Sequence, residues 1–304
     1  MNPVSVDAGA PSGIRRVLDL TIVRIVLALF TTALAGGLAQ ALVGEVAHRR
    51  FHAGWPDACG ALAALAGYAL YVRVVEQRAV AELGWRGAVA EIAAGLAGGA
   101  ALVGAVVGSL VLVSIYRIDG VNAAAASGLV AGFAQMMFVG VFEELLMRAV
   151  LFRLLERSLG SWAALVISSL LFGLAHLPGN GAGTLALVIA IVAGAFFGAA
   201  WLATRRLWLC AALHVGWNFT LGHVFSAAVS GHERTPGLVE GHLQGPDWVT
   251  GGAYGLEASV LTLAFLAAAG TWLLAHAISH GHLVAWRSRA ATPRPVVAAT
   301  RAVG

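Results

Sequence analysis

Two adjacent carboxylates and an arginine, Glu143, Glu144 and Arg148, stand inside an apolar run from about Val121 to Leu155. A charged side chain near the middle of a bilayer costs roughly 2.5 to 3.5 kcal/mol on insertion scales. Three of them in one membrane crossing therefore point to a function. On a helix Glu144 and Arg148 share a face and can pair, while Glu143 points about a third of a turn away, free to face a cavity. The competing reading is a buried ion pair that fixes helix packing. Further along, Phe172 and His176 share one helical face, and His214 and Asn218 share another. Two carboxylates, two imidazoles and an amide on three separate crossings are the groups that water activation needs. A carboxylate removed from water becomes a stronger base, and histidine and asparagine can donate hydrogen bonds to a developing oxyanion.

The elements that must carry these residues are membrane helices. Of the 304 residues 59% are hydrophobic and only 11% charged, against about 25% charged in a soluble domain. The fold class is therefore all-α: a polytopic membrane protein of about eight crossings, with the candidate cavity between the fourth, fifth and seventh. Tails at 1–17 and 287–304 flank one transmembrane domain, 18–286. The crossings are read as Leu18–Val46, Asp57–Val75, Ala88–Tyr116, the run holding Glu143, Ser161–His176, Thr184–Thr204, Leu207–Val229 and Leu256–Ile278. Between them lie a loop at His48–His52, a polar segment Glu76–Arg86 read as an interfacial helix, a turn at Arg117–Gly120, a breaker at Pro178–Gly181 and a polar loop Ser230–Gly255.

Eight crossings put both ends on one side. That side carries Arg15, Arg16, Arg73, Arg78, Arg86, Arg153, Arg157, Arg205, Arg206, Arg287, Arg289, Arg294 and Arg301, thirteen in all; the other carries Arg49, Arg50, Arg117 and Arg234, four in all. The positive-inside rule then places both termini in the cytoplasm, and the arginine-only, Ala- and Gly-rich composition suggests a bacterial inner membrane. The same spread of arginines over short loops accounts for the formal charge of +4 without a nucleic-acid partner. Cys59 and Cys210 are assigned to packing, and His223 and Glu257 to packing or an interface. Depth gives one mismatch. Counted from Arg153, Glu143 lies roughly 15 Å inside, but counted from Ser161, His176 lies roughly 23 Å inside.

In order, Glu143-Glu144…Arg148, Phe172…His176 and His214…Asn218 resemble the CPBP family of intramembrane proteases. That family includes the eukaryotic CAAX prenyl endopeptidase and bacterial abortive-infection and bacteriocin-immunity proteins. The resemblance implies a glutamate-dependent endopeptidase whose site lies within the membrane and opens to the cytosol. It implies that Glu143 activates water, that His176 positions it, and that His214 and Asn218 bind the oxyanion. Glu144 and Arg148 would orient these groups, with Phe172 packed beside them. The implied partner is a membrane-associated or lipid-modified protein or peptide. No cofactor is expected; zinc is the alternative, and no His-Glu-x-x-His is present to favour it. A non-catalytic immunity or scaffold protein and an ion-coupled transporter are the competing readings.

Overall fold

The computed structural model describes residues 13–47 and 54–286. Six helical stretches among them are long and apolar enough to cross a membrane. One of these, Ala123–Ala175, is two crossings. It breaks at Gly160, whose φ of 81° lies in the left-handed region, where a side chain would be strained. The chain doubles back there. A shorter crossing runs from α8 (Leu207–Phe219) into a π-turn at Thr220–Val224. The protein is thus an all-α polytopic membrane protein, with eight helical crossings among the described residues, two of them made by breaking a single helical run.

In chain order a short α1 (Gly13–Leu18) leads into α2 (Thr21–Ala47), followed by α3 (Trp55–Tyr71) and α4 (Ala88–Leu112). Then come α5 (Leu129–Glu144), a π-turn at Leu145–Phe152, and α6 (Arg153–Ala175), which holds the Gly160 break. After α6 come α7 (Thr184–Thr204), α8, a single-turn α9 (Asp247–Thr250) and α10 (Val260–Ser279). The central packing is α2 on α3, α5 and α4 on α8, and α7 between α6 and α10. Exposed Trp85, Trp162 and Trp286 sit at the end that carries the termini, and exposed Trp55 and Trp248 at the other. Trp272 is exposed within α10, and the five indoles at the two ends mark the membrane interfaces.

The α4–α8 contact holds the helix that carries His214 and Asn218. A Cβ on Gly99 would fall on the Leu213 carbonyl and the Trp217 amide, and one on Gly216 would fall on Leu96. Small residues at such places let membrane helices approach backbone to backbone. We expect Gly99→Leu to destabilise the protein by about 1–3 kcal/mol through overpacking. Gly104→Leu on the same helix, where a Cβ meets nothing within 4 Å, should leave the melting temperature in detergent unchanged.

Three expectations are corrected. The third crossing ends at Leu112 rather than Tyr116. The turn expected at Arg117–Gly120 lies inside a strand, β1 (Tyr116–Val121), which pairs antiparallel with β2 (Val239–Leu243) in the expected Ser230–Gly255 loop. A strand whose partner is so distant in sequence leaves no local signature. Glu76–Arg86 is not an interfacial helix. It holds a single 3₁₀ turn, Ala81–Leu83, and folds inward because its acids are claimed by arginines. Glu76 takes Arg153 on both oxygens, at 2.6 and 2.8 Å, and also Arg78 and Arg157. Arg153 is therefore buried rather than at the cytoplasmic edge. The 1–12 part of the first tail, the second tail and the Arg49-Arg50 loop lie outside the described residues.

Candidate active site

The burial of Arg153 also removes the depth mismatch. The helix carrying Glu143 continues to Leu159, and the hairpin turns at Gly160. Measured from that glycine at ~1.5 Å per residue, Glu143 lies roughly 26 Å along one arm and His176 roughly 24 Å along the other. The two side chains meet, with His176 Nε2 4.0 Å from Glu143 Oε2.

The adjacent glutamates have opposite surroundings. Glu144 and Arg148 are fully buried, 3.1 Å apart as an ion pair, and the other Glu144 oxygen lies 3.1 Å from His214 Nδ1. A carboxylate accepts, so that imidazole nitrogen donates. Arg148 also donates to the Gly194 carbonyl at 3.1 Å, and its guanidinium lies 5.0 Å from the Phe172 ring centre and 5.8 Å from that of Phe197. Aromatic faces favour a desolvated cation, so Phe172 does more than fill space. Glu143, by contrast, is about one-third exposed (34%) and faces a cavity. Its partner is also oriented. His176 Nδ1 lies 2.8 Å from the Phe172 carbonyl, which can only accept. The Nδ1 proton is thereby fixed, and Nε2 faces Glu143.

A π-turn follows two of the three motifs. Leu145–Phe152 comes directly after Glu144, and Thr220–Val224 begins two residues beyond Asn218. Such bulges often accompany functional sites. Widening the helix frees carbonyls, and one of them, Ala149 O, is taken by the Tyr68 hydroxyl at 3.1 Å and by Arg153 Nε at 2.6 Å.

His176, His214 and Asn218 line two spaces. On one side is a vestibule of about 660 Å³ that includes Glu143. On the other is an inner pocket of about 40 Å³, room for about three waters. The inner pocket reveals a residue that the sequence reading assigned to packing or an interface. Glu257 accepts from Trp217 Nε1 at 2.9 Å and from the Ser230 amide. It thus ties the helix of His214 and Asn218 to the loop that rims the vestibule. Burial and the nearby Glu257 push the Tyr254 phenol in the same pocket up to about 12, so it stays a neutral donor. The one available signal was a carboxylate at the start of an apolar run. Replacing it by leucine strands two donors at about 1–3 kcal/mol each. Glu257→Gln should recover part of that loss in a thermal melt, because its carbonyl can still accept.

All seven residues singled out from the sequence fall in one connected cluster: Glu143 with His176, Glu144 with Arg148 and His214, Phe172 under Arg148, and Asn218 on the cavity wall. Comparison with known proteins bears on the same stretch. Residues 125–220 match the type II CAAX prenyl endopeptidase Rce1-like family. That match spans every one of the seven. The matched segment lies among apolar helices that make the protein integral to the bilayer. No curated protein and no solved structure matches the chain. No three His, Cys, Asp or Glu side chains among the described residues gather where they could hold a metal ion.

Proposed function

We propose that the protein is an intramembrane endopeptidase that hydrolyses a membrane-associated or lipid-modified polypeptide with a water activated by Glu143. The observation that carries this reading is the 4.0 Å separation of Glu143 Oε2 and His176 Nε2 at the cavity wall. With the His176 imidazole neutral both atoms accept, and a water between them would donate one proton to each. Its lone pairs are then left for a carbonyl carbon. As the O–C bond forms, one water proton passes to Glu143 and the carbonyl oxygen takes up negative charge. Asn218 and His214, both on the cavity wall, would donate to that oxygen. His214 can donate from Nε2 only as the imidazolium, because its Nδ1 proton is committed to Glu144. Glu144 balances that charge, and Arg148 holds Glu144 in place. When the C–N bond breaks, Glu143 returns its proton to the leaving amine, giving a carboxylate and an amine.

We place the protein in a bacterial cytoplasmic membrane with both termini inside, on the arginine bias. Proteomic mapping of membrane-protein termini tests the activity. Cells with the wild type should contain neo-termini that are absent with Glu143→Gln. Identical termini in both, with the biological effect retained, would favour the non-catalytic scaffold instead.

A further inference from the structure

The vestibule has a direction. On α5 it begins at Leu146 and Met147, just past the helix end, and runs through Glu143, Val139 and Met136 to Gln135, towards the helix start. On α8 it runs from His214 through Asn218 to Gly222, towards the end of the crossing. On α6 it passes His176 and leaves through Pro178–Asn180. All three paths lead to the end of the bundle opposite Gly13 and Trp286, and the rim there is formed by loop residues such as Ser230, His232 and Glu233. In the other direction the bundle is closed. Phe152, Leu154, Trp201, Leu207 and Cys210 are buried there, and beyond them lies the Glu76–Arg153 network.

Among the described residues nine arginines lie on the side of Gly13 and Trp286 and two, Arg117 and Arg234, on the side of the rim. Setting aside the buried Arg153 leaves the bias intact. Acidic residues do not offset it, because the rule counts positive charge and Asp and Glu contribute little. A cytosol-facing site, which the resemblance implies, and cytoplasmic termini, which the arginines imply, cannot both hold for this fold.

We propose that the vestibule opens to the non-cytoplasmic face of the membrane. The polypeptides it takes are then exported or membrane-anchored chains whose cleavage segment lies on that face, rather than prenylated C-termini presented from the cytosol. The substrate part of this proposal rests on the protease reading; the sidedness does not. Three features together carry it: a closely packed inner half, three lining paths that run outward, and the charge asymmetry.

The test is cysteine labelling in the full-length protein with Cys59→Ala and Cys210→Ala. Glu233→Cys, exposed at the rim, should react with a membrane-impermeant maleimide in intact cells. Ala79→Cys, exposed at the opposite end, should react only after permeabilisation. Ser127→Cys and Ser279→Cys form a second pair at the two ends, in case either of the first two variants does not accumulate. The reverse pattern, or equal labelling of both ends in intact cells, overturns the proposal. Outward labelling with cleavage that ignores Glu143 would instead overturn the protease reading and leave the sidedness standing.

Discussion

Glu143→Gln is expected to lower peptide hydrolysis by about 10²- to 10⁴-fold, the range that a positioned general base contributes. Glutamine keeps the size of the side chain but cannot take a proton from water. Folding should be unaffected, because Glu143 faces the vestibule and none of the core contacts depends on its charge. Glu143→Asp is the more searching variant. It keeps the carboxylate but withdraws it by about one bond length from a gap that is already 4.0 Å, so activity should again fall. His176→Ala should cost a comparable factor. The double variant should be little worse than either single one, since residues that act as a unit are strongly non-additive. Purified protein in detergent or vesicles, with a cleavage assay and a thermal melt side by side, separates these outcomes. A Glu143→Gln protein that melts normally and cleaves normally would remove Glu143 from the chemistry.

Arg148→Met should act on the fold first. It removes the cation from a fully buried pair and leaves Glu144 with only the imidazole of His214. Leaving one member of a buried ion pair uncompensated costs about 3–5 kcal/mol, and the lost contacts with the Phe172 and Phe197 rings add to it. The protein should accumulate poorly and melt at a much lower temperature. The double variant Glu144→Gln with Arg148→Met removes both charges and should recover most of that stability. It should not recover activity, because His214 then has no carboxylate to balance its charge. Recovery of both would mean that the pair is there for packing alone.

Much of this site was legible because helical periodicity is local. Glu144 and Arg148, Phe172 and His176, and His214 and Asn218 are each one turn apart, so the shared faces followed from geometry. The sequence could not say which arginines mark the membrane edge. Arg153 is ordinary in type and spacing, and only the distant Glu76 draws it into the interior. That single displacement produced the apparent disagreement in depth. The π-turns were invisible for a related reason, since the Tyr68 hydroxyl that occupies a freed carbonyl comes from another helix. Glu257 and the β1–β2 pair likewise depend on partners far along the chain. Charge burial and long-range pairing are decided by tertiary packing, and a one-dimensional pattern does not carry them.

The bend at Gly160 sets a length standard for the whole hairpin. Each extra residue in either arm would slide its tip by about 1.5 Å and swing it by about 100°, parting the two side chains that must share one solvent molecule. Related chains should therefore vary freely in their outer loops, yet keep an unchanged residue count from the glutamate pair to the histidine after Phe172. A one-residue insertion there would silence the protein while leaving every functional group in the chain.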